Sequence, residues 1–112
     1  MEEKRKRKLL KKLINLAFKV NSLGVRKVSQ TKNLPTVFLN YSGHVAKISF
    51  HLYRNGYAEE GNWEEKVIYT NGRFRMKDFK SIRIWLYKAL LESESKQRNE
   101  KLQESEDKYV SV

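Results

Sequence analysis

Between Ala46 and Arg54 the chain alternates without a break, with Ala46, Ile48, Phe50 and Leu52 on one side and Lys47, Ser49, His51 and Tyr53 on the other. Successive side chains of an extended strand point to opposite faces, so a period of two identifies a strand with one face on a core. A helix would scatter the same apolar residues around its circumference. The segment therefore commits the chain to a sheet with a covered face. Asn55-Gly56 follows it, and because both residues tolerate positive φ the pair signals a hairpin turn.

Further extended segments are read at Thr36 to Tyr41 and at Lys66 to Thr70, with Phe74 and Met76 prolonging the sheet and Val25 to Gln30 a less regular candidate. Lys32-Asn33-Leu34-Pro35, Ser42-Gly43-His44 and Asn71-Gly72 supply turns, and Glu59-Glu60-Gly61-Asn62-Trp63-Glu64-Glu65 reads as an acidic loop or wide hairpin end.

Something must cover the apolar face of such a sheet, and two segments have the period to do it. From about Glu3 to Ser22, the residues Leu9, Leu10, Leu13, Ile14, Leu16, Ala17 and Val20 share one arc of a helix, with Lys4, Lys8, Lys11, Lys12 and Lys19 opposite. Gly24 is placed to stop it. A second helix is expected from Asp78 as N-cap, with Phe79, Ile82, Leu86, Ala89 and Leu90 facing inward. The expected fold is α+β: two helices packed on one face of a three- to four-stranded, mainly antiparallel sheet, in the order helix, strands, helix. Residues 1–91 form this domain, and 92–112 either extend the last helix as a polar rod or are disordered.

Charge is distributed unevenly. The 112 residues carry 24 Lys and Arg against 13 Asp and Glu, a net charge of +11. Residues 1–32 hold +9 of it, 33–91 hold +4, and 92–112 are net −2. Such a gradient describes a basic binding head with a solvated acidic tail. The absence of cysteine excludes disulfides and thiolate metal sites and suits a reducing cytoplasm. The basic start is followed by an apolar stretch that Lys11, Lys12 and Lys19 interrupt, so no export signal is read there. Nor does any stretch approach the ~18 apolar residues of a membrane span.

Lys4, Arg5, Lys6, Arg7, Lys8, Lys11 and Lys12 are the first candidate site, a phosphate-binding helix face in which lysines act as point charges and the arginines add bidentate contacts. Arg73, Arg75, Lys77 and Lys80, continued by Arg83 and Lys88, form a second basic group, interleaved with Phe74, Phe79, Trp85 and Tyr87 as candidate base-stacking rings. Ile84, Tyr87 and Leu91 recur on the side of the last helix away from its core stripe, where they either face the first helix or serve as a homodimer or partner surface. The two histidines, His44 and His51, have no suitable co-ligands, Ser42-Gly43-His44 lacks an orienting acid, and no glycine-rich phosphate loop is present. No catalytic residue, metal or cofactor is assigned.

Two resemblances attach to these residues. The order helix, strands, helix, with Ser42-Gly43-His44 ahead of Phe50 and then Asn55-Gly56 and Gly61, resembles a double-stranded-RNA-binding domain over about residues 9–91. That likeness implies minor-groove contacts at Lys11 and Lys12 and phosphate contacts at His44, Lys77 and Lys80. The chain differs in the additional segment Trp63 to Arg75 and in bulky Ile82-Arg83-Ile84-Trp85 where that family packs small residues. The stretch Pro35 to Val45, with Asn55-Gly56-Tyr57, is similar to small prophage proteins of Gram-positive bacteria, implying a mobile-element accessory role that includes anti-CRISPR-type inhibition of a host defence enzyme.

The expected function is that of a non-enzymatic basic protein that engages DNA, RNA or a nucleoprotein complex through its first helix. The alternative is a phage-encoded inhibitor acting on a host protein through the Ile84, Tyr87 and Leu91 surface.

Overall fold

The alternating segment becomes the central strand of a three-stranded antiparallel sheet. The computed structural model describes residues 2–22, 34–57 and 61–110. Strands β1 (Thr36–Ser42), β2 (Lys47–Tyr53) and β3 (Glu64–Tyr69) lie in the order β1-β2-β3. Their register sets Val37 opposite Leu52, Leu39 opposite Phe50 and Ile48 opposite Ile68. All six therefore share one face.

Helices α1 (Glu3–Ser22) and α2 (Met76–Val110) both pack on that face. Leu10, Leu13, Ala17 and Val20 from α1 and Phe79, Ile82, Trp85, Leu86 and Ala89 from α2 join Val37, Ile48, Phe50, Leu52 and Ile68 in one buried cluster. Burying each large side chain contributes about 1.5–3 kcal/mol, and this cluster is the main source of stability. The helices run side by side in the same direction. Lys6, near the start of α1, reaches Asn71 just ahead of α2; at the opposite end Asn21 of α1 meets Val37, and Glu92 of α2 meets Arg54.

Contacts of three polar side chains help hold the frame. Asn21 Nδ2 donates to the Val37 carbonyl at 2.7 Å, and the Val37 N–H donates to Asn21 Oδ1 at 2.8 Å, so one amide side chain occupies part of the outer edge of β1 as a neighbouring strand would. Arg54 pairs with Glu64 and, at 3.0 Å, with Glu92, tying α2 to the far end of the sheet. Lys66 Nζ donates to Ser81 Oγ at 3.1 Å and stands 5.7 Å from the centre of the Trp85 ring.

Several boundaries differ from the sequence reading, each for a local reason. Helix α2 begins at Met76, so Asp78 is a first-turn residue rather than the N-cap, and neither Phe74 nor Met76 extends the sheet. The Asn71-Gly72 turn closes with the Phe74 N–H on the Asn71 carbonyl at 3.0 Å and delivers the chain into the helix. At Asn55-Gly56 the turn forms, with Gly56 at φ 90°, but β3 starts only at Glu64, so the connection is a long one. Ala46 is not the first inward strand residue. A 3-10 turn at Gly43–Val45 leaves it left-handed at φ 50°, ψ 51°, with its carbonyl accepting the Thr70 N–H at 2.8 Å. The segment after Glu92 continues α2 to Val110. The stop read at Gly24, the extended segment Val25 to Gln30, Lys32 and Asn33, and Glu59 and Glu60 lie outside the described residues.

Candidate nucleic-acid interface

The apolar stripe of α1 faces the sheet, and the same 3.6-residue period turns Lys4, Arg5, Arg7, Lys8, Lys11 and Lys12 outward, all six exposed. Lys4 and Lys12 are eight residues apart, about 12 Å along the helix. Over that distance a duplex presents about seven phosphate charges, so the density on α1 is comparable and opposite in sign. Among the described residues none of the six lies within 4.0 Å of a carboxylate.

Lys6 departs from the expected stripe. Its side chain is only 7% exposed, with Nζ donating to Glu3 Oε1 at 2.9 Å and to the Asn71 carbonyl at 3.2 Å, and it lies 5.9 Å from the Phe74 ring centre. Lys6 sits on the inward arc with Leu10, Leu13 and Ala17 and snorkels its amine to the rim of the core. Its hydrogen bond and charge, with a smaller contribution from Arg7, hold the Glu3 carboxyl below the ordinary carboxylate range.

The second basic group meets the first at the entry to α2. Lys77 and Lys80 are exposed there with no carboxylate partner among the described residues, whereas Arg75 Nε is 3.4 Å from Asp78 Oδ2 and Arg73 lies 5.6 Å from the Tyr69 ring centre. His44 is exposed in the 3-10 turn between β1 and β2, at the same end of the sheet as the exit of β3. One end of the molecule thus gathers both helix N-termini, whose dipoles point positive charge outward, with the two lysine and arginine groups.

The stacking rings read from α2 are placed otherwise. Phe79 and Trp85 are buried at 3% and 6% exposure and Phe74 is half-buried against the core, which withdraws them from any base. Among the described residues the Trp85 indole N–H has no hydrogen-bond partner. Ile84, Tyr87 and Leu91 do not face α1; at 53%, 53% and 45% exposure they form an outward stripe on α2, flanked by Lys80, Arg83 and Lys88.

A further surface had no contiguous trace in the chain. The sheet face opposite the helices carries Phe38, His51 and Tyr53 from the strands, and Tyr57 and Trp63 join them from the connection between β2 and β3. Phe38, Tyr53 and Tyr57 meet edge to face with centroids 5.2–5.5 Å apart, and His51 stacks on Trp63 at 4.5 Å. His51 Nε2 is also 2.7 Å from Glu65 Oε2 across the β2–β3 ladder. The available signal was the polar side of β2 itself, where His51 and Tyr53 are rings rather than chains.

Among the described residues there is no cluster of three or more His, Asp or Glu able to hold a metal, and no helix long and apolar enough to cross a membrane. Compared with protein families, curated proteins and solved structures, the chain finds no match.

Proposed function

We propose that this chain is a non-enzymatic nucleic-acid-binding protein that grips phosphates through the outer face of α1, with the entry of α2 as a second contact. The observation that carries this reading is the set of six exposed cations on about 12 Å of one helix, without a carboxylate partner among the described residues, beside Lys77 and Lys80 at the same end of the molecule. Lys4, Arg5, Arg7, Lys8, Lys11 and Lys12 meet the backbone, Arg73 and Arg75 supplement Lys77 and Lys80, and Lys6 holds α1 against the core.

Duplex RNA is the first ligand to try, because the order α1, three antiparallel strands, α2, with Lys11, His44, Lys77 and Lys80 all exposed, fits the double-stranded-RNA-binding resemblance. Binding is largely independent of sequence, since backbone contacts position a protein without reading bases. The test is a titration of labelled duplex RNA, duplex DNA and single strands against salt. Replacement of Lys8, Lys11 and Lys12 by Gln makes the log–log salt slope shallower by about 2.7 for a duplex. An unchanged slope refutes the assignment.

A second reading is supported by the exposed stripe Ile84, Tyr87 and Leu91: a phage-encoded, cytoplasmic inhibitor of a host defence enzyme, of anti-CRISPR type, that docks by protein contact. In that case Tyr87→Ala abolishes capture of the purified target while salt-dependent binding to nucleic acid is absent.

A further inference from the structure

We infer that the open face of the sheet is a stacking platform for unpaired bases, so that the chain takes single-stranded nucleic acid there in addition to the duplex phosphates gripped by α1. The inference rests on the reading above that the chain binds nucleic acid; stacking alone does not hold a polyanion, and Lys47 and Arg73 are cations beside this face.

In a two-layer domain the sheet face away from the helices meets water and is expected to be polar. Here it presents Phe38 at 45% exposure and Trp63 at 49%, with Tyr53, Tyr57 and His51 half-buried behind them. The side chains that build this patch are rings, so one class of contact, π-face against π-face, is favoured over the mixed aliphatic packing of a protein interface. The rings already support one another edge to face, which limits the entropy lost when a base settles on them.

The charges on this face agree with a nucleic acid. Along β2 from the aromatic end lies Lys47, opposite Tyr69, and beside Tyr69 stands the Arg73 guanidinium, so cations close the platform at the end where α1 and α2 begin. Neither Lys47 nor Arg73 pairs with a carboxylate among the described residues, while the Glu65 carboxylate on the same face is engaged by His51. A strand lying along β2 has its bases on Phe38 and Trp63 and its phosphates passing toward Arg73, a path of about 20 Å. A second copy of this chain, at net charge +11, would bring like charge to that face.

The test uses the full chain with labelled oligouridine and oligothymidine of about 12 nucleotides and a duplex of the same length. Phe38→Ala and Trp63→Ala each lower single-strand affinity about tenfold, while duplex affinity stays within about twofold. Phe38→Leu, which keeps apolar bulk, shows the same single-strand loss and guards against a folding defect. Oligonucleotide also quenches tryptophan fluorescence in the wild type and not in Trp63→Ala, because Trp85 is buried.

The inference is overturned if single strands bind and the ring variants leave both affinity and fluorescence response unchanged. It is also overturned if sedimentation shows a dimer that the ring variants dissociate, since a second copy then covers the face. If neutralising Lys8, Lys11 and Lys12 leaves duplex and single-strand binding intact while the ring variants weaken single-strand binding alone, the α1 reading fails and the platform stands. No binding of any nucleic acid refutes both.

Discussion

Lys6 and Lys8 are two residues apart in the same basic run, and the fold gives them opposite jobs that substitution to alanine separates. Lys6 loses a hydrogen bond to the Asn71 carbonyl, its contact with Glu3, and an alkyl stem packed at the rim of the core. A hydrogen bond contributes about 1 kcal/mol and each buried methylene about 0.8, discounted here because the Glu3 side of the contact is open to water. The expected loss is about 2 kcal/mol, or about 8 °C in Tm for a domain of this size. Lys8 is exposed and without a carboxylate partner among the described residues, so Lys8→Ala changes stability by less than about 0.5 kcal/mol. In binding the order reverses. Lys8→Ala reduces the duplex salt slope by about 0.9, which over a fourfold rise in salt is about a 3.5-fold difference, whereas Lys6→Ala leaves the slope unchanged. Thermal melts followed by circular dichroism and anisotropy titrations at several salt concentrations read both quantities. A Lys6→Ala protein that melts normally and loses salt dependence as Lys8→Ala does would refute the inward assignment and the division of labour built on it.

Asn21→Ala removes both hydrogen bonds from the Val37 backbone, lowers stability by about 2 kcal/mol in urea denaturation and opens the edge of β1, so size-exclusion chromatography shows new association. Ala46→Gly relieves a left-handed alanine at about 1–2 kcal/mol but gives back about 0.4–1 in unfolded-chain entropy, for a net gain of about 0.5 kcal/mol; a loss on denaturation contradicts the φ of 50°. Because the Glu3 carboxyl is held low in the folded state, its contribution is complete above the ordinary unfolded carboxylate range and disappears as pH falls through the folded value. Glu3→Gln therefore melts below the wild type at pH 7, and the gap between the two narrows as the pH is lowered through the acidic range.

The secondary structure was largely legible in the chain because it rests on local periods. Leu9 to Val20 at helical spacing gave α1 to the residue, and Ile48, Phe50 and Leu52 in alternation gave β2 and its covered side. Where the reading missed, either a neighbouring turn or long-range packing had outvoted the residue's own chemistry. Asp78 has the composition of an N-cap, yet the turn closed by Phe74 on Asn71 starts α2 at Met76; Trp85 sits among basic residues and is nevertheless buried beneath Lys66. Of the expected phosphate contacts, charge alone could not tell Lys6 from its neighbours; the signal that separates it is its spacing, four and seven residues ahead of Leu10 and Leu13 on the apolar arc.

By itself the sequence determined the α+β class, the element order and the concentration of positive charge at one end of the chain, all of which depend on neighbours within a few positions. Only the tertiary structure decided that Lys6 meets the Asn71 carbonyl, that Ile84, Tyr87 and Leu91 stay exposed, and that Phe38, His51, Tyr53, Tyr57 and Trp63 meet on one face. Those rings are as many as 25 positions apart, from Phe38 to Trp63, and strand register is what brings them together: a one-residue slip of β1 against β2 would send Phe38 to the opposite side of the sheet from Tyr53.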